Sequence, residues 1–331
     1  MHLTEEQLIH FNDEGYVIAR DLLEPAQDLK PVIDEYADIL NDLIHRMYSS
    51  GELSETYDGL PFHQRTLAVV RDAGHLDPYP FDINVQKNLD LSRDSEFHFG
   101  PAMFRLLRNE RLLDAVESIL GPEIYSNPVQ HVRIKVPEHL IHPDRRSALN
   151  ATTGWHQDNG VIDKEADETD MLTVWVALTD ATERHGCLKL VPQSHSEGLR
   201  VHCPIPSEGS RIPPQLIPED RVRTVPMSQG DVLFMHRRCM HASLTNISDE
   251  IRWSLDIRYN PIGQSTGREH LPGFVARSRS NPGTELLDPI AWRKSWIDAC
   301  EKMLASAKHG PRSGPKSTPN KRWSRDHELC A

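Results

Sequence analysis

Apolar residues recur at three- and four-residue spacing through the first third of the chain, the spacing of a helix with one buried stripe. "TEEQLIHFNDEG" predicts a helix opening at Thr4 as N-cap and closing at Gly15, and "LKPVIDEYADILNDLIHRMYSSG" predicts a longer one. "AMFRLLRNERLLDAVESILG" repeats the device and closes at Gly121. From Tyr125 the texture changes to short β-type runs, "HVRIKV", "LTVWVAL", "CLKLV", "DVLFM" and "WSLDIRY", divided by Pro and Gly loops. Helices in front and strands behind predict an α+β chain, mainly β in its core, with an antiparallel β unit inside a helical jacket. The expected division is one domain over 1–307: jacket over 1–121, β core over 122–262, and a C-terminal extension and helix over 263–307, the helix itself spanning about 289–307.

Charge refines the ends of this picture. The 331 residues carry a formal charge of -12, which argues against nucleic-acid and anionic-membrane partners because both need a basic face. Residues 308–331 run the other way, with six Lys or Arg among interleaved Pro and Gly, and are expected to form a disordered basic tail. The polar, acidic N-terminus and the absence of a long apolar run predict a cytoplasmic protein. Five scattered cysteines without CxxC spacing predict reduced thiols.

His-x-Asp occurs three times. His75-Leu76-Asp77 and His142-Pro143-Asp144 lie among turn residues, whereas His156-Gln157-Asp158 opens the β-rich half, where extended backbone puts His156 and Asp158 on one face. A partner is found in "GDVLFMHRRCMHASLTNISDEIRWSLDIRYNP". If "NISD" joins two strands of a hairpin centred between Ile247 and Ser248, Ser243 faces Arg252 and His241 shares their face. Two imidazoles and one carboxylate on one side of a metal form the facial triad of non-haem Fe(II) oxygenases, and Arg252 supplies the fork that a dicarboxylate needs.

With these stretches, "LTEEQLIHFNDEGYVIARDLL", "WHQD" and "TVWVALTDATERHGCLKLVPQSH", the sequence resembles the phytanoyl-CoA dioxygenase family of Fe(II)- and 2-oxoglutarate-dependent oxygenases over roughly residues 3–262. The resemblance implies a double-stranded β-helix (a jelly roll, cupin-like). It implies iron held by His156, Asp158 and His241, and the distal carboxylate of 2-oxoglutarate held by Arg252 and Ser243, with O2 as co-reactant and ascorbate as a stimulant. Trp175 falls where such enzymes place an aromatic beside the cosubstrate; its other reading is a core tryptophan. His131, Arg133 and Lys135 share one face of the strand before the first ligand, which reaches cosubstrate or substrate in the family or else faces solvent. Arg133 and Gln157 are taken as cosubstrate contacts. His131, Lys135, Trp155, Asn159, Arg145 and Arg146 are taken as substrate contacts.

The implied reaction oxidises an unactivated C–H of a small metabolite and releases succinate and CO2. Because Asp158 fills the position that is a small residue in halogenating relatives, an oxygenated product is expected. The expected substrate is a small or medium polar metabolite, an anionic one being compatible with Arg133, Lys135, Arg145 and Arg146 near the expected mouth, and it is favoured over a fatty acyl-CoA because neither the 138–153 loop nor the 197–226 loop carries the dense basic cluster a CoA diphosphate would want. Two alternatives stand beside it: a fatty acyl-CoA 2-hydroxylase of the same family, and a cupin-like metal-binding or isomerase module without oxidative turnover. The two loops are either lids or inert insertions, and the oligomeric state is left between monomer and homodimer.

Overall fold

In the computed structural model, which describes residues 1–85, 96–205, 209–307 and 322–330, Thr4 opens the first helix through a capping box with Gln7, and Gly15 closes it in the left-handed conformation. That helix, α1 (Glu5–Glu14), leads into β1 (Tyr16–Ala19) and then α2 (Lys30–Ser49) and α3 (Phe62–Ala73). The apolar run expected as one helix is two, α4 (Pro101–Leu107) and α5 (Glu110–Leu120), because Asn109 leaves helical geometry and caps α5 by accepting the Leu112 N–H at 3.1 Å. There follow β2 (Glu123–Lys135), a four-residue helix α6 (Asp158–Val161), β3 (Leu172–Ala177), β4 (Leu188–Leu190), β5 (Cys203–Ile205), β6 (Gly209–Arg211) and β7 (Arg223–Val225). The chain continues through β8 (Val232–His236), β9 (His241–Ser243), β10 (Arg252–Pro261), β11 (Phe274–Ser278) and α7 (Pro289–Ala307).

A six-stranded antiparallel sheet runs in the order β1-β8-β3-β10-β2-β11, a three-stranded one in the order β7-β4-β9, and β5 pairs with β6. Period-two alternation divides the large sheet between two environments. Trp253, Leu255, Ile257 and Tyr259 of β10, with Val174 and Val176 of β3, pack outward against Tyr36, Phe104 and Leu112 of the jacket. Trp175, Leu233 and Met235 turn the other way and meet Leu188, Leu190 and Val225 of the small sheet. The inner faces of the two sheets therefore share a core, and its polar part is the site described below.

Three expectations are corrected. The segment around "NISD" does not join a hairpin: β9 pairs with β4 in the small sheet and β10 with β2 and β3 in the large one, so Ser243 does not lie opposite Arg252 in a ladder. A two-strand register rule cannot see a chain that crosses from one sheet to the other. The extension after residue 262 is also more than an appendage, since β11 forms the edge of the large sheet on β2. Finally, Cys203 and Cys330 are joined in a disulfide, contrary to the expectation of reduced thiols, and this fixes the end of the expected free tail. Residues 308–321 of that tail lie outside the described residues, while 322–330 are docked. Among the described residues, no helix is long and apolar enough to cross a membrane.

Candidate metal and cosubstrate site

His156 and His241 are joined by an isolated antiparallel bridge in which each backbone N–H donates to the other's carbonyl at 3.0 Å. The bridge sets their rings with centroids 4.2 Å apart. Asp158 is the first residue of α6, and one ligand atom from each of the three side chains lies within 4.8 Å of the others. His156 Nδ1 lies 2.9 Å from the Gly154 carbonyl and His241 Nδ1 lies 3.0 Å from that of Cys239. A carbonyl only accepts, so each Nδ1 donates a proton there and Nε2 is the ring atom left to ligate a metal. Burial, reinforced by the neighbouring His241, holds His156 well below the usual imidazole range, so it is neutral at neutral pH. Burial works against ionisation of Asp158, yet the Arg258 guanidinium holds its carboxyl well below the usual range. Arg258 Nη2 donates to one oxygen of Asp158, and Thr173 Oγ1 donates to the other. Two imidazole nitrogens and one ionised carboxylate are the donor set a divalent first-row metal requires, so these residues fit iron.

On the strand pair β2 and β10 that walls the cavity, Arg252 and its cross-strand neighbour Lys135 have no carboxylate partner among the described residues. Arg252 is fully buried; its Nη1 donates to Ser254 Oγ at 2.7 Å, its face lies 5.4 Å from the Trp175 ring centre, and its Nε and Nη2 have no partner. Burial pushes its pKa down to about 10. Lys135, also buried, donates to Ser243 Oγ at 2.7 Å and Thr153 Oγ1 at 2.9 Å. Burial and the charges of Arg252 and Arg133 hold its pKa well below the lysine range. A desolvated guanidinium and a desolvated lysine amine beside three hydroxyls form a socket for an anion. Ser243 and Arg252 thus belong to one site, but Lys135 bridges toward Ser243 from β2, and this is the residue that replaces the hairpin pairing expected from the sequence.

The other expected contacts divide. Trp175 and Arg133 line the cavity; Arg133 Nε donates to Asp256, whose Oδ1 is left without a partner, and its Nη1 donates to the Ala148 carbonyl at 2.5 Å. His131 sits on the same strand face but is tied to buried Asp82 at 3.0 Å. Gln157 is not a cosubstrate contact: its amide donates to the carbonyls of Gly198 and Arg238 at 2.9 and 2.7 Å and accepts from the Arg200 N–H at 2.8 Å, so it anchors a loop. Asn159 is likewise corrected, being buried with its side-chain N–H on the Ala166 carbonyl. Trp155 packs outside the cavity, under the Lys189 ammonium 5.0 Å from its ring centre. Arg145 and Arg146 are exposed on the 138–153 loop, Arg146 pairing with Glu138 at 3.1 Å, and neither lines the cavity. Thr153, Thr173 and Arg258 had not been singled out in the sequence; for Arg258 the signal was there, since it shares the parity of Arg252 along β10.

The sequence matches the family model described as "Phytanoyl-CoA dioxygenase (PhyH)" over residues 11–254. The chain belongs to the phytanoyl-CoA dioxygenase family. Among its relatives in this family, phytanoyl-CoA dioxygenase 1 of Oryza sativa subsp. japonica is 30% identical over 275 residues, covering 77% of this chain and 88% of the relative. An ectoine dioxygenase of Bordetella parapertussis is 29% identical over 180 residues, 49% of this chain, which spans 54%, about half, of that enzyme. Among solved structures, a non-heme monooxygenase, ThoJ, shares the fold at a TM-score of 0.57 and 19% identity, covering 91% of this chain and 98% of that one.

Proposed function

We propose that this PhyH-family chain is an Fe(II)- and 2-oxoglutarate-dependent dioxygenase, built on a double-stranded β-helix, that hydroxylates an unactivated C–H of a small polar metabolite. The observation that carries the reading is the pairing of a His–Asp–His triad, its carboxylate ionised, with a buried Arg and a buried Lys that have no carboxylate partner among the described residues. His156, Asp158 and His241 would hold the iron. Arg252 and Lys135, with the hydroxyls of Ser243 and Thr153, would hold the distal carboxylate of 2-oxoglutarate. Iron, 2-oxoglutarate and O2 together supply the oxidising chemistry, releasing succinate and CO2.

The protein's own residues set the frame for that chemistry. Arg258 and Thr173 fix both oxygens of Asp158, so that the carboxylate is oriented before any metal arrives. The ladder of alternate residues along β10 places Arg252 deep, Asp256 next and Arg258 beside Asp158 on one wall. Arg133 and Asp256 leave one carboxylate oxygen free at that wall, which suits a substrate with a hydroxyl or amine to offer.

A metal-binding module without turnover would gain nothing from a desolvated Arg and Lys that wait for an anion. A fatty acyl-CoA substrate would need a basic cluster at the cavity mouth, and the exposed Arg145 and Arg146 stand away from the lining. The deciding experiment is succinate release with iron and ascorbate across a library of polar metabolites and acyl-CoA esters. Succinate formed with a polar metabolite supports the proposal; turnover confined to long-chain acyl-CoA overturns the substrate class, and failure to bind 2-oxoglutarate overturns the whole reading.

A further inference from the structure

We infer that the C-terminal strap, residues 322–330, positions the turn that carries Asp158, with Trp323 and Arg322 as positioning residues for the metal carboxylate. The inference rests on the iron reading above. A helix of four residues is far below the length that holds itself together, so α6 keeps its place only through what surrounds it. Its two carbonyls just beyond Asp158 are both taken by the strap: Trp323 Nε1 donates to Gly160 O at 2.6 Å, and Arg322 Nη1 donates to Asn159 O at 3.0 Å. Arg322 also pairs with Asp167 at 2.5 Å.

The Trp323 ring stacks on His202, with centroids 5.2 Å apart and planes 25° from parallel. His202 is fully buried and grips the same turn from its other end: its Nε2 accepts the Gln157 N–H at 2.9 Å, and its Nδ1 lies 2.9 Å from the Arg200 carbonyl. The fit is close enough that a Cβ at Gly160 would fall 2.1 Å from His202 Cε1. The residue after His202 is Cys203, bonded to Cys330, and Gln215 donates to the Leu329 carbonyl at 3.0 Å. The disulfide therefore pins the strap to the hairpin that begins beside His202, and strap and His202 flank the backbone on both sides of Asp158. Nothing in the strap lines the cavity, so its effect on the site passes through the position of Asp158 alone.

The test is anaerobic Fe(II) titration of the full chain with saturating 2-oxoglutarate, followed by the visible charge-transfer absorption, alongside melting temperature and the Kd for 2-oxoglutarate. Losing an outer-shell partner typically costs roughly 10- to 100-fold in metal affinity. Trp323→Ala is expected in that range, Cys330→Ser is expected to weaken iron at least threefold, and 2-oxoglutarate affinity is expected to stay within twofold, because Arg252 and Lys135 are untouched. Should Trp323→Ala not fold, Trp323→Phe, which keeps the stack on His202 and loses only the N–H to Gly160, is expected to weaken iron at least threefold. Wild-type iron affinity in the folded Trp323 variants would overturn the inference. A wild-type chain that binds no iron would instead overturn the metal reading, and the strap's role with it.

Discussion

Replacing Arg252 with methionine should do two opposite things, and both magnitudes follow from its surroundings. In the ligand-free protein the guanidinium is fully buried, its Nε and Nη2 are unpartnered, and Asp256, the carboxylate on the same wall, is paired with Arg133 instead. Its pKa falls from 12.5 to about 10, which at about 1.36 kcal/mol per tenfold change corresponds to a charging cost of about 3 kcal/mol. Because the folded pKa is the lower one, that cost is present in full at every pH below about 10 and fades only as pH rises toward 12.5. Against it stand the hydrogen bond to Ser254 and the approach to Trp175, each worth about 1 kcal/mol. Arg252→Met keeps the apolar stem and deletes all three terms, so a net gain of about 1 kcal/mol is expected, or a melting temperature up by ~2 to 4 °C in the ligand-free state. With 2-oxoglutarate the sign reverses. Removing one side of a buried charge pair costs about 2 to 5 kcal/mol; with Lys135 still present the lower end applies, and the Kd should rise about 30-fold. The assay is a thermal melt with and without 2-oxoglutarate, backed by calorimetry. A variant that melts several degrees lower yet keeps the wild-type shift with 2-oxoglutarate would refute the reasoning, since Arg252 would then be a structural residue.

Lys135 is depressed by burial and by the Arg252 and Arg133 charges, so a bound dianion should restore its pKa and take up a proton; 2-oxoglutarate affinity should fall as pH rises between the depressed and the restored values. Calorimetry in buffers of different ionisation enthalpy that finds no proton uptake would count against this. Reversing charge at Arg145 and Arg146 should leave the KM of an anionic substrate within twofold, because both stand exposed and outside the cavity; a large rise would place the loop over the mouth. Glu35 accepts from His98 at 2.7 Å and from the backbone N–H groups of Ala102 and Met103 at 2.7 and 3.1 Å, at the start of α4. Burial raises its pKa, but these donors outweigh burial and lower it below 4.5, so its contribution is complete above 4.5 and lost as pH falls. Glu35→Gln should cost about 1 to 3 kcal/mol at neutral pH in urea unfolding, and equal stability of the two proteins would show the cap to be idle.

What could be read in the sequence follows the range over which each physical rule acts. Helix caps act over four residues and strand parity over two, so Thr4, Gly15, the jacket and the inward set His131, Arg133 and Lys135 were all legible. So was the grouping of the three, because His156 and Asp158 lie two residues apart and His241 lies in a run with its own β signature, although Asp158 opens α6 rather than continuing a strand. Pairings that depend on which sheet a strand joins were not. The turn after Ser243 carries the residues of a hairpin, yet β9 and β10 separate into different sheets, and the anion socket closes instead through Lys135, more than a hundred residues earlier in the chain. The disulfide lies further still beyond such rules: Cys203 and Cys330 are 127 residues apart, and an isolated pair has no spacing signature of the kind that marks a metal ribbon or a compact disulfide framework. The tail misled for a related reason. Its Pro and Gly lie within 308–321, outside the described residues, whereas the docking of 322–330 depends on Trp323, Arg322 and Cys330, three side chains whose partners His202, Asn159, Gly160 and Cys203 all belong to the β-rich half. Composition averages over a segment, while attachment is decided by single residues and the surface they meet. Trp323, Arg322 and Cys330 therefore outweigh the average composition in deciding that 322–330 dock.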